Sequence, residues 1–329
     1  MTTSLPLIRL SAANPFLLEL RSRDLDAALL LREMDLPENV PASDELFVSS
    51  QTMYQLVEKS CDIAADPHIG FVVGKKTELQ DWAPIAHASS KANTVGDLLN
   101  HFMVDGLDHS SSTRFFIHTE GARTKFGFRR LIAPPVLPAQ NDAFYCGLFI
   151  NILVHAAGDD WNPAEVLFTV ADPAAIPDLP QKVRISHGDS AGANVAFPSS
   201  WLLRRFEKSS FENREMESWD TRPPASLIDS LRLALLPHIH EANLSAESAA
   251  RICGYEQRSL SAKLRARGTT LGKEIAGLRA KHAQDELIKS DRRVFEIAQS
   301  VGFKDPAVFS RAFKNWTGRS PQDYRRTYR

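Results

Sequence analysis

The chain has 329 residues, enough for two domains that each bury a core, and its 43% hydrophobic and 24% charged residues are those of an ordinary globular protein. The opening run, Met1–Phe16, lacks a basic segment leading into an apolar one, and no stretch approaches the roughly 18 unbroken apolar residues of a membrane span. That excludes a secretory signal and a membrane partner, so a cytoplasmic protein is expected. The net charge of −1 hides an asymmetry. From Asn243 to Arg329 there are 18 Lys and Arg against 9 Asp and Glu, a surplus of +9, which leaves 21 against 31, or −10, in Met1–Ala242. A basic back half suits either a solvated surface or an anionic partner.

In chain order, Phe16 to Leu31 has helical patterning that ends at Leu36-Pro37. A second helix is expected over about Gln51–Ala64, capped by Ser49 or Ser50, and a third over Val95–Leu107 after Asn93-Thr94. The period then changes to two: Arg114–Thr119, the turn-like Glu120-Gly121-Ala122 and Lys125–Phe128 predict a β-hairpin. Asn141–Ala157 is apolar on nearly all sides and predicts a buried helix. Glu165–Val170, Val183–Ser186 and Asn194–Phe197 predict strands, the last stopped by Pro198. Helices and strands in mixed order make residues 1–206 an α+β domain. The polar stretch 207–224, closing on Arg222-Pro223-Pro224, predicts a linker. Residues 225–329 carry almost only helical signals.

Two segments of this back part share a plan, at about 245–267 and 291–317. In the first, Ser245 caps a helix with Ala249, Ala250 and Ile252 inward, Cys253-Gly254-Tyr255 turns, and Gln257–Arg267 forms a second helix. In the second, Asp291 caps a helix with Val294, Ile297, Ala298 and Val301 inward, Gly302-Phe303-Lys304 turns, and Asp305-Pro306 opens the next helix through Trp316. Gly254 and Gly302 fall where a helix ends in a left-handed residue. Between them Leu271–Ile288 predicts a connecting helix about 27 Å long at ~1.5 Å per residue. The expected fold is therefore a multidomain one: an α+β front and an all-α back with two helix-turn-helix units joined by a long helix. Such a connector holds two reading helices near the ~34 Å of one DNA turn, which makes double-stranded DNA the expected partner.

The run from Ile297 through Gly302-Phe303, Phe309, Arg311, Phe313 and Gly318 to Ser320-Pro321 and Tyr324-Arg325 resembles the C-terminal signature of AraC/XylS-type transcription activators. The segment from Ser245 to Thr269 also fits that family in order and spacing. The resemblance implies that Arg258, Ser259, Ser261, Ala262 and Arg265 of the first unit, and Ala307, Val308, Arg311 and Lys314 of the second, face DNA. Arg258 and Arg311 suit bidentate bonding to guanine, and Lys314 suits phosphate. Ala262 departs from the longer polar residue common there. Ala307 and Val308 can offer only apolar contact, so the division of specificity between the units stays open. Leu260, Leu264, Phe309 and Phe313 are read as core.

The front is similar, through its opening helices, the Trp161-Asn162-Pro163 to Phe168 strand and Asn194-x-x-Phe197-Pro198, to the AraC-type ligand-binding, arabinose-binding-like class. That resemblance implies a transcription regulator responding to a small organic effector, with a homodimer and RNA polymerase as further partners. It does not imply a sugar, and it carries over no pocket residue. The alternative is a front domain that only dimerises or binds a partner protein. A remote alternative is a serine esterase. Gly188-Asp189-Ser190-Ala191-Gly192 has the Gly-x-Ser-x-Gly form of a nucleophile elbow, but a strand rather than a helix follows it, and His238 and His240 are the only histidines between it and the first helix-turn-helix unit. A glycine-bearing hairpin turn is the expected reading of this segment, so no catalytic residue is assigned and an enzyme is not expected. Ten histidines without His-Glu-x-x-His spacing, and Cys61, Cys146 and Cys253 far apart, predict no metal centre, no cofactor and no disulfide. The rings Phe115, Phe116, Phe126, Phe128, Phe144, Tyr145 and Phe149 are read as core rather than pocket.

Overall fold

The computed structural model describes residues 4–38, 46–178, 183–206 and 222–329. Most of the stretch read as a linker, 207–221, lies outside them. The chain divides into two compact units, Met1–Pro224 and Ala225–Arg329.

The first unit opens with strand β1 (Leu7–Arg9), then helices α1 (Asn14–Ser22) and α2 (Ala27–Glu33). Strand β2 (Phe47–Ser49) pairs antiparallel with β1 and leads directly into α3 (Ser50–Ala64). The Ser49 hydroxyl caps α3 by accepting from the Thr52 amide, and Thr94 does the same from Asp97 at the start of α6 below. Helices α4 (Ile69–Lys76), α5 (Ala83–Lys91) and α6 (Val95–Asp105) follow. Then come strands β3 (Thr113–Glu120) and β4 (Arg123–Arg130), helix α7 (Ala139–Ala157), and strands β5 (Leu167–Val170), β6 (Arg184–His187) and β7 (Gly192–Pro198).

These last strands form one sheet in the order β3-β4-β7-β5-β6. The predicted hairpin is β3–β4, in register from Thr113 opposite Arg130 to Glu120 opposite Arg123, with Gly121 left-handed at φ +55° in its two-residue turn. The alternation read from the sequence places Phe126 beside Ile117 and Val195, and Val195 beside Phe168, on the face that α7 covers. One expectation is overturned. The Gly188–Gly192 segment is not a hairpin turn, because β6 pairs parallel with β5 while β7 pairs with β4 and β5. The connection passes over β5 from one side of it to the other.

Helix α7 is buried between the sheet and α4, and α4 was not legible as a helix from its eight residues. The two helices run side by side in the same direction with glycine at the contact. A Cβ on Gly70, Gly74 or Gly147 would lie 2.1, 2.2 and 2.4 Å from the carbonyl oxygens of Gln140, Phe144 and Phe71. Polar bonds flank the crossing: Gln140 Oε1 accepts from the Gly70 amide, and Asn151 donates to the Lys75 carbonyl while accepting from its ammonium.

The second unit contains helices α8 (Leu227–Leu235), α9 (Ala246–Ile252), α10 (Gln257–Arg265), α11 (Leu271–Lys289), α12 (Val294–Ser300), α13 (Pro306–Thr317) and α14 (Pro321–Tyr328). Leu271, Ile275 and Leu278 of α11 are buried in its first half, and Ala283 and Leu287 pack with Ile297, Ala298, Val301, Phe309 and Phe313 in its second. Ser245 caps α9 and Asp305 caps α13, with Pro306 in the first turn, as the sequence indicates. Asp291 does not cap α12. The helix starts later, Glu296 accepts from the Arg293 amide at 2.7 Å, and the Asp291 carboxylate pairs with Arg329 at 2.6 Å instead. A glutamate three residues inside the helix reaches back to the Arg293 amide, one that an Asp291 cap would have met.

Overpacking at the α4–α7 contact sets a test of this architecture. Gly74→Val is expected to lower stability by about 1–3 kcal/mol or more, read as a lower urea midpoint. Gly277→Ala, inside α11 where an added Cβ meets nothing within 4 Å, is expected to be neutral or to raise stability by about 0.5–1 kcal/mol. Equal midpoints for the two variants would contradict the close helix crossing.

Candidate functional site

In the second unit, Leu260 and Leu264 anchor one face of α10, and Phe309 and Phe313 one face of α13, all fully buried. The opposite faces are thereby turned outward. Arg258, Ser259, Ala262, Arg265, Ala307, Val308, Arg311 and Lys314 are exposed, and Ser261 is half-buried. The side chains of Arg258, Arg311 and Lys314 make no hydrogen bond or ion pair among the described residues. Arg265 only reaches back to the Ser261 carbonyl at 3.4 Å, and Lys263 lies 5.8 Å over the Tyr255 ring. Neither helix contains an acid. Three acids elsewhere in the unit are paired, Glu286 with Arg292, Asp323 with Arg326 and Asp285 with Lys289, while Glu256 and Asp305 stand just before α10 and α13. The charge surplus is thus available where the two helices present it.

The turns preceding these helices are fixed by glycine. Gly254 and Gly302 have φ +71° and +79°, the left-handed region. Gly302 also has no room for a side chain, since a Cβ would meet Arg279 Nη2 at 2.7 Å and the Glu241 carbonyl at 2.9 Å. Arg279, from the middle of α11, donates to the carbonyls of Ile239 and Glu241 and lies 5.7 Å over the Phe303 ring. It thereby ties the segment after α8 to the turn before α13.

The first unit holds a feature that no sequence signal revealed, a cavity of about 130 Å³. Rings that read as core line it as well as filling the core: Phe115, Phe128, Phe144, Tyr145 and Phe149, joined by Trp82. Its polar lining is Tyr54, His109, Ser110, Ser112, Thr113 and Asn141. The rings interlock, Trp82 against Phe144 at 5.0 Å and Phe102 against Phe115 at 4.8 Å. Burial, with like charge from Arg9 and His87, pushes His109 down to about 3, so its imidazole is neutral near pH 7.

Ser190 has no place in either feature. It sits on the connection between two strands, and its carbonyl accepts from Arg130 Nη1 at 3.1 Å. A strand, β7, follows it where a nucleophile elbow needs a helix. Among the described residues, no helix is long and apolar enough to cross a membrane.

Known proteins resemble both units. Residues 249–327 match the model of a helix-turn-helix domain, and residues 25–185 match that of the arabinose-binding domain of AraC transcription regulator, N-terminal. The "Ornithine utilization regulator" of Pseudomonas aeruginosa is 39% identical over 79 residues, 24% of this chain and 23% of that protein. The "MmsAB operon regulatory protein" of the same organism is 31% identical over 103 residues, 31% of this chain and 33% of that one. The chain thus matches about a quarter to a third of these relatives' length. Among solved structures, transcriptional regulator CdpR of P. aeruginosa aligns over 93% of this chain and 98% of its own at 17% identity and a TM-score of 0.34. The C-terminal domain of the response regulator AraT from Geobacillus stearothermophilus aligns over 30% and 84% at 29% identity and a TM-score of 0.29. A ligand-binding type of domain in front and a helix-turn-helix domain behind define the class of two-domain regulators. The chain belongs to the AraC family of transcription regulators.

The start of α7, which carries Asn141, Phe144 and Tyr145 to the cavity, rests on one carboxylate. Glu58 Oε1 accepts from the Gln140 and Asn141 amides, and burial pushes its pKa up to about 7. The folded chain then keeps this proton to about pH 7, whereas the unfolded chain loses it near 4.5. The Glu58 contribution to stability is therefore fully present below pH 4.5 and is lost as pH rises through 7. Urea midpoints measured from pH 4.5 to 8 are expected to fall across this window in the parent, and Glu58→Gln should flatten that fall. An unchanged slope in the variant would mean Glu58 titrates normally.

Proposed function

We propose that the chain is a sequence-specific DNA-binding transcription regulator that reads DNA with two helix-turn-helix units and senses a small organic effector in its N-terminal unit. The observation that carries the first half is the pair of exposed, acid-free faces on α10 and α13, with Arg258 and Arg311 free of partners among the described residues. Helix pairs α9–α10 and α12–α13 are the two units. The connector α11 has 19 residues, and about 28 Å at ~1.5 Å per residue suits two helices entering major grooves one turn, ~34 Å, apart. Arg258 and Arg311 read guanine edges, Arg265 and Lys314 hold phosphate, and Ser259 and Ser261 bond to base or backbone. Ala262, Ala307 and Val308 provide apolar contact, Val308 of the kind a thymine methyl accepts.

The second half is supported by the aromatic cavity in the unit that matches a ligand-binding domain. An effector can shift DNA affinity only if it binds two states of the protein unequally. RNA polymerase and a second copy of the chain are further partners in this reading.

Selection of bound duplexes from a random pool by the full chain, followed by gel shift, tests the proposal. Arg311→Ala is expected to cost about 1–3 kcal/mol on the selected sequence and to relax one base position. Lys314→Ala should weaken all sequences alike and make the salt dependence shallower. A pool that emerges unenriched would sink sequence-specific reading. Unchanged affinity and preference in Arg311→Ala would remove Arg311 from the interface.

A further inference from the structure

We infer that the N-terminal cavity takes an uncharged ligand of about one ring in size, a small aromatic or alicyclic molecule with a single hydroxyl or carbonyl, and not a sugar, a carboxylate or an amine. The inference rests on the reading of this unit as the sensory one and adds the chemistry of what it senses.

Size comes first. At about 130 Å³ the space is close to that of an apolar cavity of ~150 Å³ that admits benzene. Its walls are mainly rings, with Ile8, Met53, Val57 and Leu148 filling between them. Planar or cyclic apolar bodies make the most contact with such walls, face to edge or offset.

Charge comes second. Among the described residues no Asp, Glu, Lys or Arg lines the cavity, and His109 is held neutral. The nearest ion pair along the hydrogen-bonded chain, Arg130–Asp142, lies behind Tyr54 and satisfies itself: Arg130 bonds to Asp142, Tyr54 and Ser190, and Asp142 accepts from the Ala171 amide. Arg9, whose charge reaches His109, is not among the lining residues and donates to the Asp108 carbonyl. A carboxylate or ammonium entering the cavity would therefore leave water without a charged lining side chain to bond, which a protein interior penalises.

Polarity comes third. Most of the lining hydroxyls are already engaged with one another or with the protein, and the Thr113 hydroxyl is the one with no bond among the described residues. Ser110 and Ser112 lie 2.8 Å apart, and the Tyr54 hydroxyl accepts from Arg130 Nε at 3.1 Å. Such a set can accommodate one added donor or acceptor, whereas a sugar brings a hydroxyl on nearly every carbon. Each hydroxyl buried without a partner opposes binding. The AraC-type domain match therefore does not extend to arabinose here.

Three probes that share one ring and differ in charge decide the matter: benzyl alcohol, benzoate and benzylamine, with L-arabinose as a fourth, each titrated into the full chain by calorimetry at pH 7.5. Benzyl alcohol is expected to saturate a single site, benzoate and benzylamine to bind at least tenfold more weakly, and arabinose to give no saturable heat. Ala12→Leu, which fills the cavity, should abolish the benzyl alcohol signal. Should that variant fail to fold, Phe115→Ala localises the site instead, since the enlarged cavity should favour 2-naphthylmethanol over the parent's preference. Charged probes binding as tightly as benzyl alcohol, arabinose binding ahead of it, no saturable benzyl alcohol binding, or folded variants unchanged in preference would each overturn the inference. Repeating the titration with a labelled selected duplex separates it from the reading it rests on. Benzyl alcohol that binds without moving DNA affinity leaves the ligand chemistry standing and removes effector sensing. A charged probe that binds and moves DNA affinity does the reverse.

Discussion

The N-terminal unit depends on one buried ion pair, Arg130 with Asp142, both essentially inaccessible to water. Arg130 closes strand β4 and Asp142 lies in the first turn of α7, so the pair holds the sheet to the helix that covers it. Its remaining bonding groups recruit other segments. Arg130 Nε donates to Tyr54 on α3, Nη1 donates to the Ser190 carbonyl, and the second Asp142 oxygen accepts from the Ala171 amide just past β5. The guanidinium also lies 5.1 Å from the rings of Tyr54 and Phe128. Burial alone would weaken the Arg130 charge, but the Asp142 carboxylate and Tyr54 hold its pKa above the ordinary arginine value. A pair this enclosed adds little net stability against an apolar replacement, yet losing one partner strands the other at a cost of about 3–5 kcal/mol. Its contribution is to specify geometry, since five chain segments must converge for every donor and acceptor to be met.

That convergence explains why a cavity persists beside it. α7 is fixed to the sheet at Asp142 and to α4 through Gly70, Gly74 and Gly147, so it cannot drift to close the space between α3, α6 and the β3–β4 hairpin. The Tyr145 hydroxyl donates to the Phe126 carbonyl and pins the middle of the helix as well. The space is partly open to solvent rather than sealed, and a helix held by polar bonds on two sides has lost the freedom to fill it. Tyr54 belongs to both features, lining the cavity while bonding to Arg130.

Legibility in the sequence followed the strength of local patterns. The β3–β4 hairpin was readable because phenylalanines alternate across a glycine turn, and α7 because seventeen residues without a proline stay apolar all round. The helices of the second unit were readable because glycines and inward positions recur twice, with Ser245 and Asp305 as caps. Helix α4 was not: eight residues with two glycines have little intrinsic helicity, and the helix exists through its fit to α7. Strands β1 and β2, three residues each, are too short to show a period of two. The crossing of β5 by the Ser190 segment is a matter of strand order, which residues 188–192 do not encode by themselves. Asp291 illustrates a subtler failure. An acid before a helix is a fair cap, but Glu296 reached the same free amide from inside, and only geometry decides between them. The cavity was hidden because a ring that packs and a ring that lines a void look alike in sequence.

The two exposed helices of the second unit are not equivalent, and their difference bears on how specificity is divided. The outward face of α10 presents Arg258 and Arg265 around Ser259 and the small Ala262, whereas α13 presents Arg311 and Lys314 behind Ala307 and the exposed Val308. Under the proposed function, small residues would let a backbone approach the groove floor without themselves choosing a base, which leaves discrimination to the long side chains. Each helix then has one arginine without an intramolecular competitor, while Lys263 is drawn toward Tyr255 and Arg265 toward its own helix backbone. Gly302 is locked by Arg279 against the segment after α8, and no added Cβ could fit there. A reading helix held more firmly loses less conformational freedom on binding, and rigid placement is what a bidentate arginine contact needs. Under the proposed function, α13 therefore offers Arg311 and Lys314 behind two apolar residues, whereas α10 offers Arg258 and Arg265 beside two serines, so the two faces differ in how many polar groups they can bring to DNA.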